Sequence, residues 1–165
     1  MFQGHKVYPP SFVGPLQKGD WYGPYTAELS RPDISFAEAY GHPQASHFFG
    51  ESHQCVSLTK YFTGMPGNLN SQNWRQGPKV LDSNVARGTA IATFSNGRFP
   101  QTGHPNSGIY MGPGNTPGTI LIVDQWDNEM TGPHLPQERQ LRNHIAGDPA
   151  DSSDAYYVIY VSPVW

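Results

Sequence analysis

The only cysteine of the chain lies in the segment "FGESHQCVSLTKYF", residues 49–62. Ser52 predicts a helix N-cap and Gly64 predicts the end of that helix, so Cys55 would lie in the first turn. The N–H groups of a first turn have no intrahelical partners, and the helix dipole there favours a negative charge. Such a position lowers the pKa of a thiol and can hold an oxyanion, which makes Cys55 a candidate nucleophile. The alternative is a free cysteine that packs as a small hydrophobic residue.

A nucleophilic thiol needs a base, usually a histidine, and a group that orients the base. The segment "TGHPNSGIYMG" places His104 at the start of a predicted strand, 107–112, and "LIVDQW" places Asp124 on the next predicted strand, 119–126. Neighbouring antiparallel strands can bring two such side chains together. We therefore predict His104 as the base for Cys55 and Asp124 as the orienting carboxylate. Alternatively, Asp124 only accepts backbone hydrogen bonds at the end of its strand.

Three further side chains are candidates for contact with a substrate. Gln54 precedes the cysteine and could line the oxyanion site, although such a glutamine more often caps the first turn. His53 is expected to be exposed near the start of the helix, where it could touch substrate. Trp74 lies in a predicted polar loop, 64–79, and a tryptophan in such a loop is more often a packed lid than a ligand contact.

The histidines show no spacing that is typical of a metal site, so we expect neither a metal nor another cofactor. The remaining four are interpreted as mostly surface residues: His42, His47, His134 and His144.

Composition limits the class of protein. The 165 residues fit one domain, 1–165, and 10 Lys and Arg against 13 Asp and Glu argue against a nucleic-acid partner. One cysteine cannot form an intramolecular disulfide. The chain contains neither an apolar run of about 20 residues nor an apolar segment in "MFQGHKVYPPSFVGP". We therefore expect cytoplasmic synthesis without a signal peptide and no membrane insertion.

The pattern of elements predicts an α+β fold. Abundant glycine and proline indicate long connections, and residues 1–32 are predicted to form an extended arm packed by its aromatic side chains. One good helix ahead of hairpin-linked strands is typical of an α+β domain with an antiparallel sheet. Besides the cysteine helix, the pattern predicts helices at 31–41 and 136–146 and strands at 88–94, 107–112, 119–126 and 155–162.

Five segments together resemble a known family. In order along the chain they are "QCVSLTKYF", "NWRQGPKV", "GTAIATFSNGRFP", "SGIYMG" and "IVDQW". Their order and spacing resemble the type VI secretion amidase effectors, above all the second and third families of that group. These effectors are papain-like cell-wall peptidases related to the NlpC and CHAP groups. The resemblance covers residues from about 50 to 160.

The resemblance implies a papain-like domain in which an N-terminal helix bears the cysteine and a sheet bears the histidine. It implies hydrolysis of peptidoglycan stem peptides, associated in these families with the cross-link between D-alanine and meso-diaminopimelate. It also implies delivery by the type VI secretion machinery to the periplasm of target bacteria, and a cognate immunity protein in the producer.

The sequence departs from the family pattern at one position. The pattern His-x-x-Ile-Tyr would place histidine four residues before Tyr110, where this chain has Asn106, and His104 lies two residues earlier. Residues 104 and 106 would face the same side of a strand. Either His104 still reaches Cys55, or Asn106 has replaced the base. The second case leaves an inactive protein of the same fold, and a non-catalytic module that binds cell-wall peptide or glycan is the remaining alternative.

Overall fold

A computed structural model describes residues 6–12, 14, 17–28, 48–65, 70–81, 83–128, 130, 132–143 and 148–162. The predicted helix at 31–41 lies outside these residues.

The described residues form one α-helix and a sheet of eight strands. The helix is α1 (Cys55–Thr63), and the strands are β1 (Val7–Tyr8), β2 (Trp21–Tyr22), β3 (Trp74–Lys79), β4 (Ala90–Thr93), β5 (Ser107–Pro113), β6 (Ile120–Asn128), β7 (Gly132–Leu141) and β8 (Tyr156–Val161). The strands follow the order β1-β2-β8-β4-β5-β6-β7, and β3 also pairs with β8. All pairs are antiparallel except β1 with β2. The predicted α+β class is confirmed.

The four predicted strands correspond to β4, β5, β6 and β8, but two other predictions are wrong. The segment predicted as a helix, 136–146, continues β7 as far as Leu141, which pairs with Ile120 of β6. The segment predicted as a loop, 64–79, contains β3, which pairs with β8. In both places the neighbouring strand satisfies the backbone, and this tertiary pairing overrides local propensity.

Helix α1 packs its apolar face onto the centre of the sheet. The buried positions are Cys55, Leu58, Thr59 and Phe62, whose spacing i, i+3, i+4 and i+7 places them on one face of a helix. Leu58 and Phe62 belong to a core cluster that also contains side chains of β5 and β6. Burying each such side chain contributes about 1.5–3 kcal/mol. This packing fixes the start of the helix against β5 and β6.

The helix ends as predicted but begins differently. Gly64 adopts the left-handed conformation (φ 69°) that ends many helices. The N-cap residue is Gln54, whose side chain caps nothing, so the prediction of Ser52 as N-cap is wrong. Ser52 lies two residues before the N-cap position; its Oγ accepts from the Gln54 N–H at 3.2 Å and lies 2.6 Å from Ser57 Oγ. Its hydroxyl therefore organises the turn that leads into α1.

Candidate active site

Cys55 is the first residue of α1 and is 8% exposed. Burial raises the pKa of its thiol, and hydrogen bonds from the Ser107 side chain and from the N–H groups of Ser107 and Val56 only partly oppose this. The expectation of a lowered thiol pKa is therefore wrong for the resting protein. The helix N-terminus does supply donors to the sulfur, but desolvation outweighs them.

A pair of buried hydroxyl groups lies behind the thiol. Thr59 Oγ1 donates to the Cys55 carbonyl oxygen at 3.0 Å and lies 2.8 Å from Ser107 Oγ. Each hydroxyl carries one hydrogen, so Ser107 can donate either to Thr59 or to the sulfur of Cys55. The hydroxyl hydrogen of Ser107 can therefore turn to the sulfur once the thiolate has formed, and it stabilises the thiolate from that moment.

Cys55 lies beside a cavity of about 360 Å³. The cavity brings together four residues that the sequence singled out, together with a tryptophan and three aspartates: Gln54, Cys55, His104, Asn106, Trp126, Asp127, Asp148 and Asp151. A thiol, an imidazole and carboxylates thus share one concave site, the usual setting for chemistry on a bound substrate.

His104 lies in the bend before β5, not on the strand itself. Its side chain is 76% exposed, and its Nδ1 is 3.8 Å from Asp148 Oδ2. Since β5 begins only at Ser107, the two-residue alternation of a strand does not apply to residues 104 and 106. The ring therefore approaches the cavity from its rim.

Asp124 does not orient His104, contrary to the prediction. Its carboxylate is fully buried; Oδ2 accepts from Asn106 Nδ2 at 2.8 Å and from Arg139 Nε at 2.9 Å. Oδ1 lies 3.0 Å from His134 Nε2. Burial alone would raise the pKa of Asp124, but Arg139, His134 and Asn106 hold it below its ordinary value. Three partners occupy this carboxylate, which leaves no place for His104.

Asn106 lies at the position where the family pattern has histidine. It is 3% exposed, and Nδ2 donates to Asp124 and, at 2.8 Å, to the hydroxyl of Tyr156. An amide cannot take up a proton at neutral pH, so Asn106 cannot serve as a base. In this chain Asn106 holds buried polar groups together.

Sequence reasoning missed His134 and Arg139. His134 was interpreted as a surface residue, but its side chain is only 16% exposed and faces Asp124. Arg139 lies in the segment that was predicted as a helix, 136–146. The His134 ring stacks on Trp126 with centroids 3.8 Å apart, and the Arg139 guanidinium lies over the same ring at 4.9 Å. Arg139 Nη1 also donates to Asp151 Oδ1 at 2.9 Å. Burial alone would lower the pKa of Arg139, but the charge of Asp124 raises it above its ordinary value. Recognising 132–141 as a strand beside β6 would have placed both residues next to Asp124.

The remaining predicted contacts divide into two groups. His53 is exposed, with Nδ1 3.1 Å from Asp127 Oδ2, and Gln54 Nε2 donates to the Asp127 carbonyl oxygen at 3.2 Å. Both lie at the start of α1 beside the cavity. Trp74 is fully buried and packs edge-on against Phe99 in a different part of the core. Its predicted contact with substrate is therefore wrong.

Within the described residues, no group of three or more His, Cys, Asp or Glu side chains could hold a metal ion. The same part of the chain contains no helix with the length and apolar character needed to cross a membrane.

Comparisons with known proteins give one consistent result. Residues 33–159 match the family model described as domesticated amidase effector 2. A type VI secretion amidase effector 2 protein of Salmonella typhi is 29% identical over 119 residues, which cover 67% of this chain and 86% of that protein. The solved structure of a type 6 secretion amidase effector 2 (Tae2) superimposes with a TM-score of 0.63 at 24% identity, over 83% of this chain and 94% of that one. The structural match shows a shared fold.

Proposed function

The chain belongs to the domesticated amidase effector 2 family, and we propose that it is a cysteine amidase with a papain-like domain that hydrolyses amide bonds of peptidoglycan stem peptides. The observation that carries the proposal is Cys55, which begins α1 and shares its cavity with the imidazole of His104. The bond we favour is the cross-link between D-alanine and meso-diaminopimelate. A D-glutamyl bond would use the same catalytic groups.

The raised pKa of Cys55 determines how the reaction would begin. A neutral thiol must lose its proton as it attacks, so a base is needed at that moment. His104 takes the proton while the sulfur bonds to the carbonyl carbon. The N–H groups at the start of α1, with Gln54 beside them, face the developing oxyanion.

Breakdown of the tetrahedral intermediate completes the first half of the reaction. The C–N bond breaks, His104 returns its proton to the leaving amine, and an acyl-thioester remains on Cys55. Water, deprotonated by the same imidazole, then attacks the thioester, and the thiol is released with the carboxylic acid product.

One observation favours a second function, a non-catalytic module that binds cell-wall peptide. The histidine of the family pattern is replaced by Asn106, whose amide is engaged by Asp124 and Tyr156. His104 would then be a surface residue, and Cys55 a buried small side chain.

Cleavage of purified muropeptides, followed by mass spectrometry of the products, tests the two functions and identifies the bond. Cys55→Ala should abolish cleavage at a cost of only about 1 kcal/mol in stability. His104→Ala should lower kcat by roughly 10²- to 10⁴-fold, the usual contribution of a general base. His53→Ala removes a second exposed imidazole, which pairs with Asp127 beside the cavity, and should cost less.

Three outcomes would count against the proposed assignments. A fully active Cys55→Ala protein would remove the nucleophile. Low activity that Asn106→His raises, with no effect of His104→Ala, would show that the base has been lost. Muropeptide binding without any cleavage would establish the binding module instead.

Action as an effector is tested in cells. We propose that type VI secretion delivers the protein to the periplasm of target bacteria and that the producer protects itself with an immunity protein. Expression with an added secretion signal should lyse a bacterial host, whereas the same chain kept in the cytoplasm should not. Lysis by cytoplasmic Cys55→Ala protein would indicate toxicity of another origin.

A further inference from the structure

We propose that Asp148, which the sequence did not single out, is the positioning residue that orients His104 toward Cys55. The inference rests on the proposed function, because it assigns a role to a carboxylate in the same cavity. It also replaces Asp124 in the role that the sequence predicted for it.

The two oxygens of Asp148 have different partners. Oδ1 accepts from the Ala150 N–H at 3.0 Å and so caps the short 3-10 helix Pro149–Asp151. Oδ2 is the oxygen that lies 3.8 Å from His104 Nδ1. The cap fixes the carboxylate plane, which leaves the second oxygen turned toward the imidazole.

The turn that carries Asp148 is tied to the buried part of the protein. The Ala150 carbonyl oxygen accepts from Tyr156 Oη at 2.6 Å and from Arg139 Nη2 at 3.1 Å. Arg139 Nη1 also donates to Asp151. A partly exposed carboxylate is therefore presented from a turn that three hydrogen bonds hold in place.

Asp124 is the less suitable partner for geometric reasons. Its oxygens already face Asn106, Arg139 and His134, and no part of it is exposed. Its effect on the site is indirect, since Arg139 connects it to the turn that carries Asp148.

The chemistry follows from the two nitrogens of the ring. A neutral His104 with its hydrogen on Nδ1 faces Asp148, so Nε2 is left with a lone pair for the thiol proton. When the imidazolium forms, Nδ1 and the Asp148 carboxylate, 3.8 Å apart in the resting structure, would move together into a charge-assisted hydrogen bond. Asp148 would thus select the reactive tautomer and stabilise the charge that appears on the base.

The test compares Asp148→Asn with Asp154→Asn, a matched loss of charge in the neighbouring turn Ser153–Ala155. Asparagine at 148 keeps an oxygen for the Ala150 N–H but turns an NH₂ group toward the ring. With muropeptide substrate, kcat should fall roughly 10- to 100-fold in Asp148→Asn, as expected for one charge-assisted hydrogen bond, with little change in KM. Asp154→Asn should keep the wild-type kcat.

A second readout needs no activity. ¹⁵N NMR of the imidazole nitrogens should report hydrogen on Nδ1 of His104 in the wild type and in Asp154→Asn, and a shift toward hydrogen on Nε2 in Asp148→Asn. The same tautomer in all three proteins would overturn the inference, as would full activity of Asp148→Asn beside an inactive His104→Ala. If the wild type cleaves nothing, the proposed function fails and the NMR comparison alone decides the role of Asp148.

Discussion

The thiol of Cys55 is subject to two opposing influences. Its place at the start of α1 supplies backbone N–H groups and the hydroxyl of Ser107, which favour the thiolate. Its burial against the sheet favours the neutral thiol, and burial prevails. A buried, neutral thiol reacts slowly with electrophiles unless a base takes its proton.

The pH dependence of alkylation tests this description of Cys55. Because the pKa of the thiol is raised, the rate of reaction with iodoacetamide should be low at neutral pH and should titrate with a midpoint above the ordinary 9.0. Ser107→Ala removes a donor to the thiolate, so the midpoint should move further upward. Asn128→Ala changes another residue that lines the cavity and serves as the control. A wild-type midpoint below 9.0 would instead indicate a preformed thiolate.

Only part of the candidate site could be predicted from local features of the sequence. The prediction that Cys55 lies at a helix start rests on a local feature of the sequence, and Cys55 is the first residue of α1. Asp124 was identified as important but given the wrong partner, because its neighbours His134 and Arg139 come from β7, whose register with β6 no local pattern reveals. Asp148 lies in a short turn without apolar periodicity, so only the folded chain shows that it faces His104.

At the scale of elements, one buried amide fixes the segment that leads into α1. Gln125 on β6 is fully buried. Its Oε1 accepts from the Phe49 N–H at 2.8 Å, and its Nε2 donates to the carbonyl oxygens of Phe49, Ser52 and Gln54 at 2.8–3.2 Å. The segment has no regular structure of its own, so this side chain takes the place of a strand partner.

Replacing Gln125 should therefore loosen the start of α1. Gln125→Leu leaves buried backbone groups without partners, at about 1–3 kcal/mol for each unsatisfied group. We expect a loss of about 3 kcal/mol or more in the free energy of unfolding, measured by urea denaturation. The exposed Gln72→Leu should change stability by about 0.5 kcal/mol or less. Equal effects of the two substitutions would show that the contacts of Gln125 are dispensable.

The elements predicted wrongly share a physical cause. The segment "PHLPQERQL" contains good helix formers, and Pro136 suits a first helical turn. In the fold it becomes β7, the last strand of the sheet, where a residue without an N–H is tolerated because no described strand pairs with its outer side. The sequences of β4, β5, β6 and β8 are apolar enough to predict strands. In contrast, β3 and β7 are strands because they pair with a neighbouring strand.

At the scale of the whole molecule, the buried Asp124 connects distant parts of the chain. Through Asn106 it reaches the start of β5, through His134 and Arg139 it reaches β7, and Asn106 in turn donates to Tyr156 of β8. The same network holds the turn that carries Asp148. Stability and the geometry of the candidate site therefore depend on one carboxylate.

Removing one member of the central ion pair should be costly. Asp124→Ala leaves the largely buried Arg139 without its main counterion, and we expect a loss of about 3–5 kcal/mol in the free energy of unfolding. The double variant Asp124→Leu with Arg139→Met replaces the pair by apolar side chains and should recover much of that loss. Urea denaturation measures both. A double variant that is less stable than Asp124→Ala would show that Arg139 stabilises the fold independently of Asp124.

The lowered pKa of Asp124 gives the stability of the whole protein a defined pH dependence. In the folded protein this carboxyl binds a proton less readily than in the unfolded chain, where its pKa is about 3.9. Its stabilising contribution is therefore complete above about pH 4 and is lost as the pH falls through the folded-state pKa. Urea denaturation at a series of pH values down to about 2.5 should show a declining free energy of unfolding. In Asp124→Asn, which cannot ionise, the decline should be shallower, and the two proteins should converge in stability as the pH falls. A gap between them that stays constant across this range would mean that Asp124 titrates alike in the folded and unfolded states.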